Sequence, residues 1–275
     1  MRLRSLLFVP GDRPDRFAKA VASGADAVIL DLEDSVAPVR KVAAREAVAA
    51  FLAEPGGGVR RFVRINPVDS GMLDSDLAVA RVADGLVLPK AEGAVTLAAL
   101  AALSERLPLV LPIATETPAA IFALGEYTRS PVALAGMTWG AEDLPAAIGA
   151  QTSREPDGSY TPPYETVRSL TLFAAHAAGV PAIETVYPAI ADLDGLAAYA
   201  ARGWRDGFTG MMAIHPAQVP VINAAFTPDA EAIARARRIV EAFAADPDAG
   251  ALQLDGRMVD LPHLKQARRV LALAG

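Results

Sequence analysis

Charged and hydrogen-bonding side chains follow almost every apolar run of this 275-residue chain. Carboxylates, guanidinium, ammonium and imidazole groups bind metal ions and anions and move protons, so these positions could do chemistry. They are Arg13, Glu33, Asp34, Arg64, Asn66, Lys90, Glu116, Glu142, Asp143, Glu184 and His215. Positions so far apart in sequence can act together only if the fold brings the ends of these runs to one place.

Two carboxylates, Glu116 and Asp143, end the fifth and sixth apolar runs. Hard oxygen ligands without soft ones favour Mg²⁺, which keeps water positions open for a substrate. The alternative is that each acid caps the helix that follows it, since acids are favourable at helix N-termini. Arg64 and Lys90 at neighbouring run ends favour a combined metal and anion site.

Arg64 lies in the run FVRIN, next to Asn66. A guanidinium group can grip a carboxylate through two parallel hydrogen bonds. The competing interpretation is an internal ion pair with Glu33 or Asp34. Both interpretations can hold if that pair orients the arginine.

After the sixth run, the residues from Ala141 open a helix whose backbone amides favour an anion. One 2-oxo acid could chelate the metal and place its carboxylate on these amides.

Eight apolar runs alternate with Ala-rich stretches of helical length, a pattern that predicts a (β/α)8 TIM barrel. The runs cover residues 6–14, 27–35, 61–67, 85–92, 109–117, 132–143, 180–188 and 208–216. In this fold the active site forms at the carboxyl ends of the strands, where the reactive side chains stand. The barrel is predicted to span residues 1–225 as the catalytic domain.

Three segments outside the strands carry further predictions. A helix is expected at about 14–23, with Pro14 in its first turn and Gly24 after its end. The polar, Pro- and Gly-rich stretch 151–163 is expected to be a loop that covers the active site. Residues 226–275 are predicted to be a C-terminal helical extension that either packs under the barrel or contacts a neighbouring subunit.

Within that extension, a helix is expected over 229–245 with Ile233, Ile239, Val240 and Phe243 on its buried side. After a break at 246–250, Asp260 is predicted to be the N-cap of the last helix.

Composition excludes several classes of protein. Cysteine is absent, so disulfides and thiolate catalysis are excluded. A net charge of −6 without a long basic run argues against nucleic-acid binding. No apolar run approaches the roughly 20 residues that span a bilayer, and the amino-terminal patch runs directly into Gly-Asp-Arg-Pro, so it is interpreted as a strand. The expectation is a cytoplasmic enzyme with no membrane or nucleic-acid partner.

The histidines and the first cationic cluster allow two interpretations. His215 could be an acid, a base or a structural hydrogen-bonding group, whereas His176 and His263 are interpreted as incidental. Arg16 and Lys19, with Arg13, form either a solvated surface or a phosphate-binding face at the same end of the barrel as the metal.

Several ordered motifs resemble the citrate lyase β-subunit-like family of the HpcH/HpaI aldolase superfamily. They are LLFVPGDRPDRFAKA, GADAVILDLEDSVAPVRKVAAREAV, VRIN, LPKAE, the Glu of ATETP, GAEDL, GFTG followed by AIHP, and GRMVDLP. The motifs cover nearly the whole chain. The resemblance implies a (β/α)8 barrel assembled as a homotrimer, which uses Mg²⁺ to make or break a carbon–carbon bond between an acyl thioester and a 2-oxo acid.

The resemblance also implies residue roles. The metal ligands would be Glu116 and Asp143, and Arg64 would bind the substrate carboxylate. Asp260 would be an acid/base delivered from a neighbouring subunit. The remaining roles comprise coenzyme A (CoA) binding by Arg16, Lys19, Ile214, His215 and Pro216, substrate binding by Ala141, Glu142 and Asp143, and support from Glu33, Asp34 and Lys90.

Three residues depart from the family pattern. Asp15 stands where some relatives carry lysine, and Pro118 replaces the commoner Ala or Arg after Glu-Thr. Met211 stands where many members have lysine, which puts the acyl group or its carrier in doubt.

The leading hypothesis is a Mg²⁺-dependent lyase of the citryl-, malyl- or citramalyl-CoA type, or its Claisen-condensing reverse. One alternative is a pyruvate-releasing aldolase that uses no CoA. The other is a catalytically silent CoA-binding or assembly subunit. Retention of Arg64, Glu116, Asp143 and Asp260 together favours an enzyme.

Overall fold

The structure is a computed structural model that describes residues 2–103 and 106–274. Each of the eight apolar runs contributes a parallel strand, so the (β/α)8 prediction is confirmed. The strands are β1 (Ser5–Pro10), β2 (Ala27–Asp31), β3 (Arg60–Arg64), β4 (Gly85–Leu88), β5 (Leu109–Pro112), β6 (Met137–Thr138), β7 (Ala182–Glu184) and β8 (Gly210–Ala213).

The strands pair in the order β5-β4-β3-β2-β1-β8-β7-β6. Between the two ends of this sheet, isolated parallel bridges join Val110 to Leu134 and Ile113 to Thr138, which brings the barrel to near closure. In the register of β2 and β3, Asp31 lies opposite Arg64. The strand ends therefore place a carboxylate and a guanidinium group side by side at the barrel mouth.

Eleven α-helices occur in the described residues. They are α1 (Phe17–Val21), α2 (Lys41–Ala53), α3 (Leu73–Ala80), α4 (Ala94–Ala102), α5 (Pro118–Phe122), α6 (Leu144–Ile148), α7 (Pro162–Ala177), α8 (Leu193–Asp206), α9 (Gln218–Ala225), α10 (Ala230–Ala245) and α11 (Leu261–Ala274). The helix predicted at 14–23 divides into a 3₁₀ turn, Pro14–Arg16, and the short α1. None of the described helices is long and apolar enough to cross a membrane.

Apolar side chains from several strands fill the barrel interior. They include Leu6, Ile29, Phe62, Val87, Leu111, Ile183 and Met212, each at most 3% exposed. Every residue of β2 is buried, as expected for a parallel strand covered on both faces. This packing makes the strand ends a rigid support for the side chains that follow them.

The predicted loop at 151–163 ends earlier than expected, because Pro162 and the next residue already belong to α7. Proline is favourable in a first helical turn, since the N–H it lacks would have no partner there. Before the helix, Arg154 and Tyr160 form an antiparallel bridge. The Tyr160 ring stands edge-on to Trp139, with 5.0 Å between ring centroids. A covering role for this loop stays a prediction.

The chain divides into two compact units, one of residues Leu3–Asn223 and one from Ala224 onward together with Arg2. The second unit contains α10, a hairpin of β9 (Ala251–Leu254) and β10 (Arg257–Asp260), and α11. Asp255 and Gly256 have φ of 52° and 75°, as the tight turn of a two-residue hairpin requires.

On α10, Ile239 and Phe243 are buried, as predicted. Ile233 and Val240 are only half-buried.

Candidate active site

Arg64, the last residue of β3, is held by two acids. Its Nε and Nη2 donate to the two oxygens of Asp31 at 2.7 and 2.6 Å, and Nη1 lies 2.8 Å from Glu33 Oε2. The guanidinium also stacks over Phe8, with 4.9 Å from Cζ to the ring centroid. The predicted internal ion pair therefore exists with Glu33, whereas Asp34 takes no part in it. Asp31 already accepts hydrogen bonds from Nε and Nη2 of Arg64. A substrate carboxylate can therefore bind only the remaining N–H groups of the guanidinium.

The ionisation of this cluster follows from burial and charge. Burial works against the charge on Arg64, but its hydrogen bonds to Asp31 raise the pKa of Arg64 above its ordinary value. Burial alone would raise the pKa of Asp31, yet the same hydrogen bonds lower it. Burial also raises the pKa of Glu33, and the Arg64 charge only partly offsets that effect. Arg64 and Asp31 thus form a permanently charged pair at neutral pH.

Glu116, four residues after the end of β5, is a buried carboxylate with little compensation. It is 4% exposed, and the backbone N–H of Lys90 donates to its Oε2 at 2.5 Å. Burial raises the pKa of Glu116 to about 8, and the charges of Glu33 and Asp143 contribute to that rise. A cation bound at this carboxylate would offset both the cost of burying its charge and its repulsion by Glu33 and Asp143.

Neither Glu116 nor Asp143 acts as a side-chain helix cap. Thr117 is the N-cap of α5 and accepts the hydrogen bond of Ala120 N–H. Asp143 occupies the N-cap position of α6, but its side chain makes no capping hydrogen bond. Both carboxylates border one cavity. A hard divalent cation fits this pair, because two carboxylates leave positions for waters and substrate oxygens.

Among the described residues, no group of three or more His, Cys, Asp or Glu side chains could hold a metal. The resemblance implies two protein ligands, Glu116 and Asp143.

Lys90 links the acids of the site. Its Nζ donates to Glu33 Oε1 at 2.8 Å and lies 3.9 Å from both Asp34 Oδ2 and Asp143 Oδ1. Its backbone has φ of 48°, a left-handed conformation that costs a non-glycine residue energy. That conformation places the N–H of Lys90 on Glu116. The backbone and the side chain of one residue thus orient different carboxylates.

The cavity beside these residues has a volume of about 150 Å³. A Cβ on Gly140 would lie 2.9 Å from Glu116 Cγ, so only glycine fits there. Arg64 is the one cationic residue that lines the cavity within the described part of the chain. The lining residues are Phe8, Asp34, Arg64, Ile113, Glu116, Gly140, Ala141, Glu142, Asp143, Thr185, Val186 and Met212. Predicted metal and substrate residues from strands far apart in sequence meet at this cavity.

Two of the reactive positions are structural. Glu184 is fully buried and accepts hydrogen bonds from Trp139 Nε1 at 2.5 Å, Tyr199 OH at 2.8 Å and Arg168 Nε at 2.7 Å. Asn66 accepts from Lys41 Nζ and donates to Asp76, both within the protein. Neither side chain lines the cavity. Only their positions at strand ends make Glu184 and Asn66 candidates from the sequence.

Lys41 and Asp76 are supporting residues that the sequence did not reveal. Lys41 Nζ donates to the backbone oxygens of Leu32 and Glu33 at 2.6 and 2.8 Å, which fixes the segment after β2. Asp76 Oδ1 accepts from Arg45 at 2.7 Å. A lysine and an aspartate on helices are typical of solvated surface, and only their burial marks them as internal.

The residues implied to bind CoA are on the surface of the first unit. Arg16 and Lys19 are exposed. Arg13 pairs with Asp15 at 2.8 Å. His215 is exposed, and its Nδ1 accepts the backbone N–H of Ala217 at 3.2 Å, which supports the structural interpretation of that nitrogen.

The remaining implied residues lie elsewhere. Ile214 N–H donates to Gln218 at 2.9 Å, within the same turn as Pro216. Met211 is fully buried and does not line the cavity, so this departure leaves the cavity wall unchanged. Asp260 belongs to the second unit.

Residues 4–216 match the HpcH/HpaI aldolase/citrate lyase family. The chain belongs to this family. The resemblance seen in the motifs is thereby confirmed.

Curated relatives align over nearly all of the chain. A citrate lyase subunit beta-like protein of Mycobacterium tuberculosis is 40% identical and covers 98% of this chain and 94% of its own. A (3S)-malyl-CoA thioesterase of Cereibacter sphaeroides is 35% identical, with coverage of 98% and 94%. Mitochondrial citramalyl-CoA lyase of Rattus norvegicus is 33% identical, with coverage of 98% and 86%.

A crystal structure of M. tuberculosis CitE in complex with magnesium, acetoacetate and coenzyme A is similar in fold, with a TM-score of 0.84 at 38% identity. It covers 100% of this chain and 98% of that one.

Proposed function

We propose that this protein is a Mg²⁺-dependent carbon–carbon lyase of the citryl-, malyl- or citramalyl-CoA type. It cleaves a 3-hydroxyacyl thioester into an acyl-CoA and a 2-oxo acid, or forms it by Claisen condensation. The observation that carries the proposal is the cavity at which Glu116, Asp143 and Arg64 meet. Support comes from the relative that is named a citramalyl-CoA lyase and from CitE of M. tuberculosis, which binds magnesium, acetoacetate and CoA.

Glu116 and Asp143 would hold Mg²⁺, which acts as a Lewis acid on the oxo group when bound. The raised pKa of Glu116 supports this assignment, because a buried acid of this kind stays ionised at neutral pH only beside a cation. Lys90 N–H keeps one oxygen of Glu116 in place.

Arg64 would bind the carboxylate of the 2-oxo acid through the N–H groups that Asp31 and Glu33 leave free. Its bonds to Asp31 fix the plane of the guanidinium before substrate arrives, which reduces the entropy lost on binding. Ala141, Glu142 and Asp143 also line the cavity. Their backbone amides are proposed as the second support for the substrate carboxylate.

The rest of the wall suits a small substituent. Phe8, Ile113, Val186 and Met212 give it an apolar surface. A methyl group or hydrogen on the 2-oxo acid would contact these side chains favourably, whereas a second carboxylate would lose its hydration there without a cation. We therefore expect pyruvate or glyoxylate to be bound in preference to oxaloacetate, which favours the malyl- and citramalyl-CoA reactions over the citryl-CoA reaction.

The thioester end is assigned to residues that are exposed or half-buried. Arg16 and Lys19 would contact the phosphates of CoA, and the segment Ile214–Pro216 its pantetheine or adenosine part. Asp260 would act as acid/base at the α-carbon of the thioester. It would reach the site of a neighbouring subunit, so residues 1–225 would form the catalytic domain and 226–275 a shared extension of a homotrimer.

Purified protein is to be incubated with acetyl-, propionyl- and succinyl-CoA against glyoxylate, pyruvate and oxaloacetate, with Mg²⁺ or with EDTA. We expect a 3-hydroxyacyl-CoA product, identified by mass spectrometry, only with Mg²⁺. CoA binding without turnover would instead favour a silent subunit, and turnover of 2-oxo acid aldols without any thioester would favour an aldolase.

Because one relative is a malyl-CoA thioesterase, hydrolysis is a second candidate. Incubation with malyl-CoA separates the two reactions. Cleavage releases glyoxylate and acetyl-CoA, whereas hydrolysis releases malate and free CoA.

Two expectations about the cell and the assembly are tested separately. Sedimentation of the full chain is expected to show a homotrimer. Fractionation of cells is expected to place the protein in the cytoplasm.

A further inference from the structure

Asp260 and His263 form a local pair at the start of α11. Asp260 ends β10, and its Oδ1 accepts the backbone N–H of His263 at 3.4 Å. The ring nitrogen Nδ1 of His263 lies 2.5 Å from the same Oδ1 and 3.2 Å from the backbone N of Asp260. Nothing in the sequence alone connects the two side chains.

The contacts allow two arrangements of the His263 ring, one with a bare Nδ1 and one with a hydrogen on Nδ1. If Nδ1 is bare, it accepts the N–H of Asp260 and completes a capping box, with histidine in the place of the usual Glu or Gln. If Nδ1 carries a proton, it donates to the carboxylate. A bare nitrogen beside an ionised oxygen would be repelled, and Nδ1 lies closer to Oδ1 than to the backbone N. The geometry therefore favours the protonated Nδ1.

Both side chains are accessible, with exposed fractions of 42% for His263 and 33% for Asp260. His263 also lines a cavity of about 360 Å³, whose charged residues on α10 and in its N-cap are Asp229, Glu231 and Arg235. In the described part of the chain, no hydrogen bond to Oδ2 of Asp260 is found. One carboxylate oxygen is thus held while the other is available to a partner molecule.

We propose that His263 is a positioning residue, whose Nδ1–H holds Oδ1 of Asp260 so that Oδ2 faces the α-carbon of the thioester. This inference rests on the proposed acid/base role of Asp260. In condensation, the Asp260 carboxylate takes the α-proton, the enolate carbon forms a bond to the oxo carbon, and the oxo oxygen becomes an alkoxide that takes a proton from solvent. In cleavage, the 3-hydroxyl group loses its proton to solvent, the carbon–carbon bond breaks to give the 2-oxo acid and the enolate, and protonated Asp260 returns its proton to the enolate carbon. The hydrogen bond from His263 also lowers the pKa of Asp260, which favours the base form that condensation requires.

Substitutions at 263 separate capping from positioning. Glu at this position completes a capping box but has no proton to donate at neutral pH, whereas the amide of Gln can both accept and donate. We expect His263→Glu to lower kcat about tenfold or more, which is part of the roughly 10²- to 10⁴-fold that a general acid/base contributes. KM for the 2-oxo acid and the thermal midpoint should stay near those of the parent. His263→Gln should retain most of the activity.

Proton exchange provides a direct readout of the same step. Exchange of the acetyl-CoA methyl protons in D₂O, followed by mass spectrometry, should slow in His263→Glu in parallel with kcat. His176→Gln is the matched control, because the side chain of His176 contacts only the backbone oxygen of Gly207 within the described residues. It should exchange at the parent rate.

A spectroscopic test needs no turnover. The chain has three histidines, so histidine-selective ¹⁵N labelling gives few ring signals, which His263→Gln and His176→Gln assign. We expect Nδ1 of His263 to be protonated at neutral pH and to lose this preference in Asp260→Asn. A bare Nδ1 in the parent protein would overturn the proposal.

Different results would refute the acid/base role of Asp260 and the positioning role of His263. Normal turnover in Asp260→Asn would refute the acid/base role itself. Loss of turnover in Asp260→Asn together with normal turnover in His263→Glu would refute only the positioning role, as would equal losses in His263→Glu and His263→Gln.

Discussion

Replacing Glu116 with Gln should stabilise the metal-free protein at neutral and alkaline pH. Glu116 is buried, and its pKa rises from 4.5 to about 8 in the folded state. A raised carboxyl pKa gives stability that is complete below pH 4.5 and is lost as the pH rises toward 8. At 1.36 kcal/mol per pKa unit, the loss is about 3 kcal/mol at pH 7 and approaches about 5 kcal/mol above pH 8. Gln is nearly isosteric with the neutral acid and does not titrate.

Urea denaturation in EDTA measures this difference. The free energy of unfolding of Glu116→Gln should exceed that of the parent at pH 8, and the two should converge near pH 4.5. Glu46→Gln is the matched control, because Glu46 is exposed on α2 and its substitution should change stability little. An unchanged difference between Glu116→Gln and the parent from pH 5 to pH 8.5 would refute the reasoning.

Adding Mg²⁺ should reverse the order of stability. Metal binding requires the ionised carboxylate, so the apparent affinity of the parent should rise about tenfold per pH unit below 8. Mg²⁺ should stabilise the parent by mass action and leave Glu116→Gln nearly unchanged. Calorimetry at pH 7 should also show release of nearly one proton per Mg²⁺ bound, and a binding constant independent of pH between 6 and 8 would contradict the assignment.

Three further substitutions test other parts of the site. Arg64→Lys keeps the charge but loses the two-point contact with Asp31, so kcat/KM should fall about 100-fold; kinetics at parental rates would make Arg64 only a structural partner. Asp143→Asn should weaken Mg²⁺ binding at least about tenfold with an unchanged circular dichroism spectrum, and parental affinity would remove it from the metal site. Arg168→Met leaves the buried Glu184 without its cation, so unfolding by urea should show a loss of about 3 to 5 kcal/mol, whereas a loss below about 1 kcal/mol would contradict the pairing.

The sequence alone determined the barrel and the edge at which its chemistry lies. Continuous apolar runs such as Ala27–Leu30 can be satisfied only where both faces of a strand are covered, and eight runs alternating with helices close into one barrel. Polar residues at the run ends then must meet at the carboxyl edge. Glu116, Asp143 and Arg64 are therefore brought together by their positions at the ends of these runs.

Tertiary structure decided which of the polar strand ends reach the cavity. Glu184 and Glu116 both follow apolar runs, yet one is neutralised by Arg168 and the other is an uncompensated acid. Sequence position cannot separate them, because the partner Arg168 lies on α7 and contacts Glu184 only after the helix packs on β7. Sequence position does not identify Lys41 either, because its burial depends on the packing of its own helix.

The contact between Asp260 and His263 at the start of α11 shows that sequence position does not predict side-chain contacts even between residues close in the chain. The sequence pattern indicates that Asp260 is a helix cap but indicates no role for His263, although the two are three residues apart. A cap motif fixes backbone contacts, while the side-chain rotamer decides whether the ring meets the carboxylate. Hydrophobic patterning therefore determined the fold of this protein, because burial follows sequence periodicity. The charge state of each acid was decided by the tertiary structure, because it depends on neighbours that only packing brings within hydrogen-bond distance.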